Sequence, residues 1–389
     1  MQGGTPGVVT GQRGQVPTRP GELLAAHTSP CRLAGMDRLH QPADIIAHVD
    51  AVLEQELGTF ADELAGLSPV ASELTDPIRA FCVGGKRIRA LATWWGYQLA
   101  GGTHPGIAHV AASVELLHAA ALIHDDIIDN SDTRRGNPST HAFFSHMHSD
   151  EGFGGDARSF GINAAIIAGD VCLGLSEQLF AASGLDVADS HVRATHDAFR
   201  RDVMLGQYLD IRIQAAPVPD AQIVDRAMEV LTYKSAKYSV EQPFELGARL
   251  AGAKPEFVRA LSAFTLPLGQ AFQLRDDELG VFGDPMATGK PAGDDLVEGK
   301  KTVLVGLALA RMNDDDAQWF RERLGTGSDT GRMIELLDQC GAKREHEDLI
   351  DSKLQDAFVA LDALGEHGVS SNDLELLRSY ANRLTRRDT

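Results

Sequence analysis

Positive charge is in short supply in this chain. Thirty-six Lys and Arg stand against 55 Asp and Glu over 389 residues, a formal net charge of −19. A general nucleic-acid binder needs a basic footprint, so the balance argues against that class. It does not exclude an anionic small-molecule substrate, because metal ions and local Lys/Arg clusters can invert the field at one site. Cysteine is also sparse. Cys31, Cys82, Cys172 and Cys340 are scattered without metal-ligand spacing and read as reduced, mostly buried thiols. No uninterrupted apolar run reaches the length of a membrane span, and the N-terminus lacks the apolar core of a signal peptide. A soluble, cytoplasmic protein without a membrane span is therefore the expectation. Aromatics are few at 6%, yet 43% hydrophobic residues suffice for a substantial core. Alternating strand patterns flanked by hairpin turns are lacking as well.

Helical periodicity takes their place. Residues 1–38, rich in Gly, Pro, Thr and Gln, show no apolar face and are expected to form a disordered leader, with Met36 as an alternative start. From Asp44 onward, apolar residues such as Val52, Leu53, Leu57, Phe60 and Leu64 recur at three- and four-residue steps. Gly and Pro then separate long segments at roughly 161–183, 187–214, 221–252, 255–280, 301–311, 316–324, 331–340 and 343–365. The polar, Gly- and His-containing stretch 145–160 reads as a surface loop. The fold class that follows is all-α, a bundle of long helices, with residues 39–389 as one domain.

Chemistry concentrates in a few places. His124-Asp125-Asp126-Ile127-Ile128-Asp129 and Gln273-Leu274-Arg275-Asp276-Asp277 each follow an apolar, helical stretch. On a helix Asp125 and Asp129 share a face, so their carboxylates converge. Adjacent buried carboxylates repel unless a cation lies between them, and hard divalent cations such as Mg²⁺ suit oxygen-only ligands. Gly84-Gly85-Lys86-Arg87-Ile88-Arg89 combines close backbone approach with cations at a helix start, a pattern suited to an anion or equally to a solvated basic turn. Arg134 and Arg135 supply fork-shaped donors suited to phosphate, and Asp132 is placed to pair with them. His118, two turns before Asp125, reads by itself as a core histidine. Gly169-Asp170, Gly206-Gln207 with Asp210, and Tyr233-Lys234-Ser235-Ala236-Lys237 each carry little alone. The Gly283–Lys290 stretch is not a P-loop: its spacing has one residue too many, Pro291 replaces the hydroxyl residue, and no strand precedes it.

Taken in order, these segments resemble the trans-isoprenyl diphosphate synthases (polyprenyl synthetases), with the phrasing of 273–302 most similar to the geranylgeranyl diphosphate synthases of actinobacteria. The resemblance implies an isoprenoid-synthase-type helical bundle around a central cavity. It implies head-to-tail (1′-4) condensation of isopentenyl diphosphate with dimethylallyl, geranyl or farnesyl diphosphate, most simply to a C20 product. A longer-chain synthase and a non-catalytic regulatory subunit are the alternatives. Asp125, Asp126 and Asp129 on one wall, with Asp276 and Asp277 on the other, would hold three Mg²⁺ ions, for which Mn²⁺ may substitute. Arg134, Lys234 and Lys290 would join them on the allylic diphosphate. Lys86, Arg89, His118 and Arg135 would take the isopentenyl diphosphate. Ser235, Gln273 and the Lys234 backbone would steady an allylic cation. A homodimer is the family's habit.

Three positions depart from the family pattern: Ala90 stands for the usual proline, Ser235 for threonine, and Gly280 for the last aspartate of the second cluster. Glu278 or Asp284 is the expected replacement for that carboxylate. Product length would be set upstream of the first cluster, where Ala120 and Ala121 leave the cavity open, Leu117 with residues on neighbouring helices forms any floor, and a phenylalanine at either alanine should shorten the product.

Overall fold

The apolar three-and-four spacing read from the sequence becomes helix almost throughout. The structure, a computed structural model, describes residues 41–284 and 292–386. The N-terminal leader, Cys31 and Lys290 lie outside the described residues. In chain order the helices are α1 Pro42–Ala65, α2 Ala71–Cys82, α3 Ile88–Leu99, α4 Ile107–Ile128, α5 Thr140–Asp150, α6 Ala157–Ala182, α7 Ser190–Ala215 and α8 Asp220–Val230. A π-helical segment, Leu231–Glu241, leads into α9 Gln242–Leu250 and α10 Pro255–Phe282. Then come α11 Asp294–Glu298, α12 Val303–Arg311, α13 Asp314–Arg323, α14 Thr330–Gln339, α15 Ala342–Ala363 and α16 Ser371–Thr385.

Helix α4 forms the centre, packed against α1, α3 and α6. It is apolar nearly all round, with Ile107, Val110, Leu116 and Ile123 fully buried, as expected of a helix enclosed by others. The π-helical segment lies between α7 and α10, and α10 rests on α15. Behind the end of α10, Val281, Leu304, Phe320, Leu337 and Ala342 belong to one apolar cluster that anchors the C-terminal helices. Side-chain caps fix several helix starts. Asp156 accepts from Ser159 N at 2.7 Å and Asp189 from His191 N at 2.8 Å, each cap worth about 1 kcal/mol. Glycine permits one close crossing: a Cβ on Gly247 would stand 1.9 Å from the Thr93 carbonyl oxygen, so α9 meets α3 backbone to backbone.

Three expectations change. The stretch 145–160 is not a loop throughout: α5 runs to Asp150 and α6 starts at Ala157, leaving a turn between them. The reason is that His148 and Phe144 are buried, so α5 has an inward face that its polar composition concealed. A two-residue antiparallel ribbon, β1 Thr133–Arg134 with β2 Asn137–Pro138, folds the chain back after the first Asp cluster. Finally, α4 and α6 are long and apolar enough to cross a membrane by length and composition, although neither is an uninterrupted apolar run. The apolar window of α4 is 72% buried inside the bundle, that of α6 39%.

Candidate active site

A cavity of about 550 Å³ opens between the C-terminal half of α4 and the C-terminal half of α10. Asp125 and Asp129 line it from α4, and Gln273, Asp276 and Asp277 from α10. Helix α7 adds Gln207 and Asp210, the π-helical segment adds Lys234 and Ser235, and Lys86, Arg89 and His118 complete a basic region of the lining. The approach of α7 to the π-helical segment depends on Gly206, where a Cβ would lie 2.3 Å from Lys234 N.

Two ammonium groups knit the acidic side together. Lys234 Nζ lies 2.6 Å from Asp210 and 3.3 Å from Asp125, while Gln207 donates to Asp125 at 2.8 Å. Lys300 reaches Asp129 at 3.7 Å and Asp295 at 3.4 Å, and also pairs with Glu298. Burial alone would raise the Asp125 carboxyl, but Lys234, Lys300 and Arg134 outweigh it and hold the group below its usual range. Asp129 goes the other way: burial and the neighbouring Asp125 push it up to about 6. Burial, then Asp295, drives Asp277 well above the ordinary carboxylate range, even though Gln273 donates to it at 2.8 Å. The acidic side thus holds more crowded anionic charge than its lysines neutralise, a condition that a divalent cation would relieve.

Among the described residues, no three His, Cys, Asp or Glu side chains converge closely enough to hold an ion unaided. That fits Mg²⁺, which typically takes one or two carboxylates and completes its octahedron with water and substrate phosphates. Asp125 and Asp129 on one wall and Asp276 and Asp277 on the other are hard oxygen donors facing one cavity, and they fit this role.

The basic region is differently built. Arg89 donates to Ser239 Oγ at 2.7 Å, and its guanidinium lies over the Tyr238 ring, 4.5 Å from the centroid. Arg89 Nε, His118 Nδ1 and Tyr238 OH are buried without a hydrogen-bond partner. Burial, with Arg89, Arg135, Arg134 and Arg87 nearby, pushes His118 well below the usual imidazole range, so it is neutral near pH 7. Unsatisfied polar groups, the Arg89 Nε–H among them, beside a cavity and among arginines mark a place for an anion.

Comparison with known proteins decides the family. The polyprenyl synthetase family model matches residues 71–339. This chain belongs to the polyprenyl synthetase family. The crystal structure of a geranylgeranyl pyrophosphate synthase from Corynebacterium glutamicum, complexed with isoprenyl diphosphate and magnesium, superposes with a TM-score of 0.84 at 36% identity, covering 89% of this chain and 99% of that one. The geranylgeranyl diphosphate synthase of Sulfolobus acidocaldarius is 31% identical over 252 residues, 64% of this chain and 70% of its own. The geranylfarnesyl diphosphate synthase of Aeropyrum pernix is 32% identical over 274 residues, 68% and 73% of the two chains.

In this polyprenyl synthetase, most of the residues singled out in the sequence come together. Lys86, Arg89, His118, Ala121, Asp125, Asp129, Arg134, Lys234, Ser235, Gln273, Asp276 and Asp277 all line the one cavity. Asp126 does not. It is fully buried and paired with Arg134, because one helical step turns it about 100° from Asp125. Its carboxylate is paired with Arg134 and lies off the cavity lining. Asp132, expected beside Arg134 or Arg135, instead lies 3.5 Å from His141. Arg135 sits outside the lining, its Nη2 3.3 Å from where a Cβ of Gly85 would be and its guanidinium near Phe81. Ala120 and Leu117 are buried in the bundle and off the lining, so of the three chain-length residues only Ala121 faces the cavity. Glu278 is buried and paired with Arg275 at 2.8 Å, so it does not replace the carboxylate missing at Gly280, whereas Asp284 does line the cavity.

Other residues gain weight in the polyprenyl synthetase fold. Arg87, in a left-handed backbone conformation (φ 50°), is buried and donates to Asp50 at 2.8 Å, to Glu115 at 3.2 Å and to the Cys82 carbonyl at 2.6 Å. Glu115 in turn accepts from Ala90 N at 3.1 Å. This network aims the basic turn, so Lys86 and Arg89 flank a structural arginine. An acidic residue mid-way along apolar α4 was its one sequence signal. Lys301, next to Lys300, caps α7 by donating to the carbonyls of Ile213, Gln214 and Ala216.

Proposed function

We propose that this protein condenses isopentenyl diphosphate head-to-tail with an allylic diphosphate, releasing diphosphate, and that its product is the C20 geranylgeranyl diphosphate. One observation carries the reading: a single cavity has an acidic side suited to a metal-clamped diphosphate and a basic side suited to a metal-free one. Asp125 and Asp129 on α4 and Asp276 and Asp277 on α10 would hold Mg²⁺, three ions by family analogy with Mn²⁺ as a substitute. Held there, such ions would supply the positive charge that offsets the charge building on the departing diphosphate. Arg134, Lys234 and Lys300 add fixed positive charge at the same end, and the matching role of Lys290 is inferred from sequence alone. Lys86, Arg89 and neutral His118 bind and orient isopentenyl diphosphate so that its double bond faces the allylic carbon. Phe272 and Tyr238 line the cavity and would help exclude water from the cation, with Ser235 and Gln273 on the same lining to steady it. The proton lost afterwards passes to the released diphosphate.

Ala121 sets no obstacle on the cavity wall, which supports growth beyond fifteen carbons and leaves longer chains as the second reading. A homodimer is supported by large apolar residues left exposed on α6 and α7, among them Ile166, Ile167, Met204 and Tyr208. The test is direct: purified protein is incubated with Mg²⁺, isopentenyl diphosphate and each of dimethylallyl, geranyl and farnesyl diphosphate, and the products are sized. A C20 product supports the proposal; no condensation with any of the three sinks it.

A further inference from the structure

Gly280 looks like a loss in the second acidic cluster, since it removes a side chain one turn beyond Asp276 and Asp277 on the cavity face. The space it leaves is taken. A Cβ at position 280 would lie 2.2 Å from Asp295 Oδ2 and 2.7 Å from its Cγ. The Asp295 carboxylate therefore sits where a side chain at 280 would begin. On the synthase reading above, we infer that Asp295 supplies, from a different helix, the carboxylate that position 280 lacks in the second metal wall.

The backbone is arranged to hold it there. Gly293, at φ 81°, turns the chain into α11, and its N–H donates to the Gly280 carbonyl at 3.1 Å. That bond docks the start of α11 onto α10. The Asp295 main-chain carbonyl accepts from Lys300 N at 3.0 Å, and Asp295 lines the same cavity as Asp276 and Asp277. Through Lys300 it also connects to Asp129 on the opposite wall, with ammonium distances of 3.4 Å and 3.7 Å. Gly280 is thus needed in two ways: a side chain there would collide with the carboxylate, and the close backbone clasp to Gly293 would be crowded.

The arrangement predicts a reciprocal pattern that a merely structural Asp295 would not give. Binding of inorganic diphosphate is measured by calorimetry on the full chain at a series of Mg²⁺ concentrations, with thermal unfolding as a check of folding. Asp295→Asn should raise the Mg²⁺ needed for half-maximal diphosphate binding by about 10- to 100-fold, the usual cost of losing a ligand or its immediate support. Gly280→Asp alone should be damaging, because two side chains contend for one space. Gly280→Asp combined with Asp295→Ala should recover most of the Mg²⁺ dependence, since a carboxylate returns to the same place. Asp284→Asn should shift it less than Asp295→Asn. The inference is overturned if Asp295→Asn retains the unmodified Mg²⁺ dependence, if Asp284→Asn has the larger effect, or if the folded double variant is no better than Asp295→Asn. Absence of Mg²⁺-dependent diphosphate binding in the unmodified protein would instead reject the synthase reading itself.

Discussion

Replacing Arg87 with Leu separates the machinery that shapes the basic turn from the residues that would contact substrate. Of its three partners, Asp50 has a side chain 45% exposed and can be rehydrated, and the Cys82 carbonyl is neutral. Glu115 cannot escape: its side chain is 6% exposed and sits inside α4. The cost therefore concentrates there, as a buried carboxylate without its counter-charge, about 3–5 kcal/mol. Adding Glu115→Gln removes the stranded charge while leaving an oxygen to accept from Ala90 N. The double variant should thus regain part of that loss, with a coupling energy of up to about 3 kcal/mol. Urea unfolding of the unmodified, two single and double variants gives the cycle. In kinetics, the turn carrying Lys86 and Arg89 loosens, so KM for isopentenyl diphosphate should rise roughly tenfold, about 1.4 kcal/mol. KM for the allylic substrate should hold steady, because Asp125, Lys234 and Asp276 lie on other elements. Equal effects on both substrates, or additive stabilities across the cycle, would refute the reasoning.

Three further outcomes follow from the packing. Ala121→Phe should shorten the product in a sizing assay, whereas Ala120→Phe, fully buried and off the cavity, should instead overpack the bundle by about 1–3 kcal/mol and lower the melting temperature. Gly206→Ala should press on the Lys234 backbone, costing about 1–3 kcal/mol in thermal unfolding and lowering kcat as the ammonium leaves Asp125 and Asp210. His196, stacked on Phe180 at 3.9 Å, is pushed down to about 4 by burial, against the opposing pull of Glu177. Its folded pKa lies below the unfolded value of about 6.5, so the unfolded chain binds the extra proton between those limits. Stability should therefore fall as pH drops from about 6.5 toward 4, and His196→Gln should flatten that limb in pH-dependent urea unfolding.

The helices and the identity of the cavity were largely legible in the sequence, because apolar spacing and ordered polar motifs are local signals. Which of two adjacent aspartates faces inward was legible in principle, since one helical step separates Asp125 from Asp126, but the choice rests on where Arg134 returns through the short ribbon. The helix at Thr140–Asp150 was hidden by buried histidines, whose inward face has no apolar signature. Asp295 lay beyond reach for another reason. Its proximity to Gly280 comes from a backbone bond between Gly293 and α10, and no local pattern in the fourteen intervening residues signals that fold-back. The pairing of Arg87 with Glu115 was hinted at only by an acidic residue inside apolar α4, because it joins segments 28 residues apart.

Lys234 and Lys300 have a consequence for how the protein lives without its substrates. Their ammonium groups already offset much of the repulsion among Asp125, Asp129, Asp210 and Asp295. The bundle can therefore fold and persist in a chelator, unlike domains whose metal is their core. A diphosphate arriving with its own negative charge would add oxygen ligands and draw the lysines toward itself, so divalent ions would be held most tightly in its presence. On the synthase reading, the ion and the substrate's head group would be recruited as a single package.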